Sequence, residues 1–322
     1  MKRITRPLLL VALVLLAGKS STIINAEEVH YRGVSSAVFS ATPNPDVAYT
    51  AYFCGEKVGL DRLDMYERLD REITALVYGH GNTLLTIKRA NRYFPIIYPI
   101  LKKYGVPTDF AYLACIESYL DVRAYSPANA AGIWQFIAPT ARQYGLEVND
   151  DVDERYDPEK ATIAAAKYLK DAYAKYGHWP TVAASYNAGT AKISSELSRQ
   201  LVSNSFDLYL TEETSRYVFR IMAMKMILEN PKRYGYHLKR RQLYQPIKCT
   251  EVEVKGSVSS WAEWAKKNGI TYSILRELNP WIRSTSLANK SNKTYQVKIP
   301  ISTELYRSKR GFNTYYRSWA TD

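Results

Sequence analysis

Four histidines and three cysteines in 322 residues leave little from which to build a metal centre. None of them falls in a cluster with metal-ligand spacing, so no metal ion is expected. There is no glycine-rich phosphate loop and no Gly-x-Ser-x-Gly turn, which argues against nucleotide chemistry and a covalent serine nucleophile. No organic cofactor is expected either. Cys54, Cys115 and Cys249 are too few and too scattered for a disulfide framework. Cys115 reads as a small buried side chain, and a Cys54–Cys249 pairing stays open. Acids are also scarce: 31 against 44 Lys and Arg, a formal charge of +13.

One apolar run exists, Pro7 to Ala17, behind the basic stretch Met1-Lys-Arg-Ile-Thr-Arg6. It is too short to favour a transmembrane span and reads as a secretory signal over 1–26, cleaved after Ala26. Lys19 stands where a lipoprotein would carry its lipidated Cys, so a soluble exported protein is expected, with no transmembrane span in the mature form. Losing Lys2, Arg3, Arg6 and Lys19 with the signal leaves +9. Export argues against nucleic acid as partner, and a positive surface suits anionic wall or membrane material.

Residues 27–58 show no sustained period and read as a leader arm. From 59 to 235 short amphipathic helices alternate with irregular connections, which predicts an all-α domain with an N-terminal helical extension. Its clearest boundary is Asp157-Pro158-Glu159, a cap, a proline and a first-turn acid opening a helix that runs to Gly177. Residues 236–250 read as a linker. A βααβ unit follows over 251–301, with helices near Trp261–Lys267 and Ser273–Leu278 and a last strand at Tyr295–Ile299. A basic aromatic tail, 302–322, ends the chain. The fold class is therefore mainly α, with a small α+β module.

Glu117 is the one acid in the apolar segment Phe110 to Ser118. Phe110, Leu113, Ala114 and Glu117 fall at i, i+3, i+4 and i+7, which sets the carboxyl on an apolar stripe. Desolvation there raises its pKa and keeps a proton available for general-acid work. A helix-end glutamate reaching water satisfies the same pattern. Downstream come Ser126, then Gly132-Ile-Trp134-Gln135-Phe136, then Ala184-Ser-Tyr186-Asn187-Ala-Gly189, and finally Glu213-Thr-Ser-Arg-Tyr217-Val218.

Together with Glu117-Ser118, and in this order, these blocks resemble the lytic transglycosylases of glycoside hydrolase family 23, whose SLT catalytic domain is lysozyme-like. Trp134-Gln135-Phe136, rather than Met-Gln, marks one branch of that family. The resemblance implies that Glu117 is the catalytic acid/base. It implies that Ser126, Gln135, Tyr186, Asn187 and Tyr217 line the sugar groove, and that Gly132 lets the backbone approach the substrate. Ser118, Trp134 and Glu213 would support them. The 251–301 unit is similar to a LysM module in Leu275-Arg-Glu-Leu-Asn-Pro280 and Val297-Lys-Ile-Pro300, while Lys255-Gly256-Ser-Val-Ser departs from the usual opening.

The implied partner is peptidoglycan, in the periplasm or envelope of a Gram-negative bacterium, with the LysM-like module binding GlcNAc-containing glycan. The implied reaction cleaves the MurNAc–GlcNAc β-1,4 bond without water and leaves 1,6-anhydro-MurNAc. Most glycosidases use two carboxylates, and the matched blocks offer one well-placed acid. Hydrolysis on the same scaffold and a non-catalytic wall-binding role are the competing readings. Removal of 250–322 is expected to weaken binding to cell-wall sacculi more than it slows cleavage of short glycans.

Overall fold

The computed structural model describes residues 47–290 and 292–322. The expected signal and most of the leader arm lie outside them. The first described element is a hairpin of β1 (Thr50–Phe53) and β2 (Glu56–Gly59), with Thr50 opposite Gly59. Cys54 and Gly55 both have positive φ, the backbone that a tight two-residue hairpin turn demands. Phe53, Val58 and Leu60 bury its inner side on the helical core.

Ten α-helices follow among the described residues. α1 (Leu63–Tyr78) buries Met65, Leu69, Ile73 and Leu76, and with them Glu72. That carboxylate is matched by Arg216 at 2.6 Å, Arg71 at 3.3 Å and Arg220 at 3.4 Å, as a buried charge requires. α2 is His80–Lys103 and α3 is Phe110–Ser118. α3 is apolar almost all round and buried from Phe110 to Cys115. It stops at Tyr119 and Leu120, both with positive φ. After α4 (Ala138–Gln143), α5 (Pro158–Tyr176) starts where expected, with Asp157 Oδ1 accepting from the amides of Glu159 and Lys160. It ends at Gly177, φ 59°. α6 (Trp179–Ala188), α7 (Thr190–Gln200) and α8 (Glu212–Glu229) complete the helical body.

The α+β module has β3 (Cys249–Lys255), α9 (Trp261–Lys267), α10 (Tyr272–Leu278) and β4 (Thr294–Pro300). β3 and β4 pair antiparallel, Cys249 opposite Pro300. Trp261, Leu275 and Val297 form the module's own core, which also takes in Val152 from the helical body. The Asp153 amide donates to the Trp281 carbonyl at 2.9 Å, and the Arg283 amide to the Asp151 carbonyl at 2.8 Å. Arg283 also lies 4.2 Å over the Tyr156 ring.

The last residues return to the helical body. Trp319 is 1% exposed and packs on Phe94, its indole N–H donating to the Leu228 carbonyl. Asn91 accepts from the Tyr315 amide and donates to the Asn313 and Tyr244 carbonyls. A cut at residue 250 would therefore strip the helical core as well as the module, so that deletion does not isolate glycan binding. Cys54, Cys115 and Cys249 are free thiols. Among the described residues no helix is long and apolar enough to cross a membrane, and no group of three or more His, Cys, Asp or Glu could hold a metal.

Candidate active site

An open groove of about 660 Å³ runs between α3, α5, α6, the first turn of α8 and the 126–140 segment. Glu117 lies on its floor, in the last turn of α3. Its carboxyl is held well above the ordinary range, at about 7, and burial is the main cause. Glu213, another anion on the groove wall, pushes the same way. The carbonyl end of α3 also disfavours a charge there. Against these, the Tyr217 hydroxyl donates to Glu117 Oε1, and Arg220 lowers the value slightly. The side chain is poised to hold a proton near neutrality and to release it.

Ser126, Gln135, Tyr186, Asn187 and Glu213 all line the groove. They do not all offer free hydrogen-bonding groups. The Tyr186 hydroxyl donates to the Trp134 carbonyl at 2.7 Å, and its ring stands between Phe136 and Tyr168. Asn187 is also engaged, accepting from the Thr214 hydroxyl at 2.8 Å and donating to Glu213 at 3.2 Å. Gln135 donates to the Gly132 carbonyl at 2.7 Å, and Ser126 Oγ accepts the Ala130 amide at 3.1 Å. Among the described residues, Gln135 Oε1 and the Ser126 O–H remain uncommitted. Tyr217 is buried in the helical core, and its hydroxyl donates to Glu117.

Two supporting residues hold the groove together from inside. Ser118 donates to the Ile133 carbonyl at 3.0 Å, and the Trp134 indole donates to Thr162 at 2.9 Å. Gly132 is placed differently from expectation. At φ 75°, a Cβ there would sit 1.8 Å from the Arg155 carbonyl oxygen. The close approach that demands glycine is thus to Arg155, away from the groove.

Arg155 had no signal of its own in the sequence. It is 6% exposed, pairs with Asp153 at 2.7 Å, and donates to the carbonyls of Asn129 and Phe136. It closes the base of the loop that carries Ala130 and Gln135. Tyr168 and Thr140 also line the groove.

The helical body thus presents one half-buried, proton-holding carboxyl in an open groove. Residues 95–205 match the family model described as "Transglycosylase SLT domain", and residues 250–303 match "Soluble lytic transglycosylase C-terminal LysM-like domain". The chain thus carries a segment similar to the SLT domain, followed by one similar to a LysM-like domain. It is 30% identical over 250 residues to membrane-bound lytic murein transglycosylase D of Escherichia coli strain K12, covering 76% of this chain and 54% of that protein. The corresponding protein of E. coli O6:H1 gives the same figures. The chain thus spans about half the length of the curated relatives it matches. The crystal structure of the 70 kDa soluble lytic transglycosylase of E. coli superposes with a TM-score of 0.36 at 21% identity, over 41% of this chain and 24% of that one.

Proposed function

We propose that this chain is an exported peptidoglycan lytic transglycosylase of the cell envelope, with Glu117 as its acid and base. The observation that carries this reading is the Glu117 carboxyl, protonated up to about pH 7 on the groove floor. Glu117 gives its proton to the oxygen of the MurNAc–GlcNAc β-1,4 bond, and the C1–O bond breaks. The N-acetyl oxygen of the same sugar supports the positive charge at C1. The Glu117 carboxylate then takes the C6 hydroxyl proton, O6 closes on C1, and 1,6-anhydro-MurNAc leaves. Glu117 is protonated again, and no water is consumed. Ser126 and Gln135 orient the sugar, Tyr186 and Asn187 fix the wall behind them, and Tyr217 aims the acid. The LysM-like module adds glycan affinity.

Mass spectrometry of the products from peptidoglycan sacculi tests this. Soluble muropeptides lighter than hydrolysis products by one water, with ends that borohydride does not reduce, are expected. Reducible ends would overturn the anhydro route.

Glu213 favours a second reading, hydrolysis with two carboxylates, because it lines the groove and its charge is felt by Glu117. The pH profile separates the two. With Glu117 as the only reacting acid, Glu213→Gln removes a repulsive charge and moves the alkaline limb to lower pH with turnover largely kept. Tyr217→Phe removes a hydrogen bond that favours the carboxylate, so its limb moves to higher pH and turnover falls. Loss of all turnover in Glu213→Gln would support the hydrolase.

A further inference from the structure

The proposed glycan chemistry makes no use of the basic aromatic C-terminal stretch. Residues 236–250 contain Lys239, Arg240, Arg241 and Lys248 and no acid. Folded against α2, this stretch and residues 307–312 bring Lys88, Arg92, Arg241, Arg307 and Arg310 around one cleft of about 390 Å³ that no carboxylate lines. Arg310 pairs with Glu304 at 3.0 Å. Among the described residues the other four have no carboxylate within 4.0 Å.

A second basic cleft, beside α7, behaves otherwise. There Arg71 meets Glu212 at 2.8 Å, Arg199 meets Glu196 at 2.5 Å, and Arg68 meets Asp64 at 3.7 Å. Three of its four cations, all but Lys192, are thus paired.

The cations of the α2 cleft are also held in place. Arg92 donates to the Gln245 carbonyl at 3.1 Å and lies 5.5 Å over the Tyr244 ring, and Arg307 lies 5.9 Å over Phe312. Converging like charges repel unless an anion sits among them. Apart from its cations and two glutamines, the cleft is lined by Leu243, Tyr244 and Phe312. Next to it in the chain, Leu305 and Tyr306 are 39% and 54% exposed. Ordered cations beside exposed aromatic and aliphatic side chains suit the boundary between lipid headgroups and acyl chains, where tyrosine is favoured. We propose that this face docks on an anionic phospholipid surface, with a lipid phosphate seated among the four unpaired cations Lys88, Arg92, Arg241 and Arg307.

The test is flotation of the exported form, beginning at residue 27, with vesicles of phosphatidylcholine alone or mixed with phosphatidylglycerol. Binding to the mixed vesicles is expected to exceed binding to the neutral ones and to weaken with salt. Each cation at such a surface contributes about fivefold, so R241Q/R307Q should bind the mixed vesicles roughly twenty-five-fold more weakly. Its turnover of short soluble glycans should stay at the parent level, which shows the fold intact. Equal binding to both vesicle types, or unchanged binding by the variant, would overturn the proposal. So would a variant that keeps vesicle binding and loses sacculus binding, since the cleft would then serve the carboxylates of the wall.

Discussion

Glu117→Gln should lower release of soluble muropeptides by about 10²–10⁴-fold, the span that one general acid/base supplies. Retained release would remove Glu117 from the chemistry. The same substitution should stabilise the protein at high pH, and this second readout is independent of substrate. Glu117 titrates near 7 in the folded chain against an ordinary value of 4.5, so the folded state binds the proton more tightly than the unfolded one. Below the unfolded value both states hold it, and the carboxyl does not depress stability. As pH rises through the folded value, stability falls by about 3 kcal/mol, because the ionised group is poorly solvated where it stands. Gln carries no charge at either pH. Urea midpoints should thus agree at pH 4 and favour the variant at pH 8. Equal midpoints at both would mean that the carboxyl is solvated. A residue that weakens the fold in order to keep a proton near neutrality is better explained by catalysis than by packing.

How much of this was legible depended on the range of the interaction. The cap of α5 at Asp157 and its stop at Gly177 are set within a turn of the residues concerned, and local rules found both. The apolar spacing of Phe110, Leu113, Ala114 and Glu117 placed the Glu117 carboxyl among apolar neighbours, but α3 is buried nearly all round, so the stripe understated its desolvation. The hydrogen-bond partner of Glu117 lies 100 residues away, at Tyr217. No periodicity connects them; the family blocks named both residues, but not the hydrogen bond between them. Gly132 shows a related limit. A sequence can signal that a glycine is demanded, but the neighbour that demands it, Arg155, is known only once the chain is folded. The 50–59 hairpin and Trp319 escaped for the same reason, because their burial depends on helices far along the chain.

Arg155→Met should be among the most damaging substitutions outside the acid itself. It would leave Asp153, 6% exposed, without its cation, and breaking such a pair costs about 3–5 kcal/mol. A fall of that size in urea unfolding is the first expected result. The second concerns the groove. Arg155 donates to the carbonyls of Asn129 at 2.8 Å and Phe136 at 3.0 Å, the two ends of the loop that carries Gln135. Without those bonds the loop loses its anchor, and KM for glycan should rise even where the variant is fully folded. Adding Asp153→Asn separates the two effects. The double variant no longer buries an unpaired charge, so most of the stability should return, while the loop anchors stay missing and KM stays high. Recovery of both together would make Arg155 a stability element only. The Asp153 amide is also bonded to Trp281 of the LysM-like module, so the segment that steadies the groove is itself steadied by the module. Trp281 and its neighbours should then influence cleavage of glycans too short to reach the module's surface, which a freely tethered wall anchor would not do.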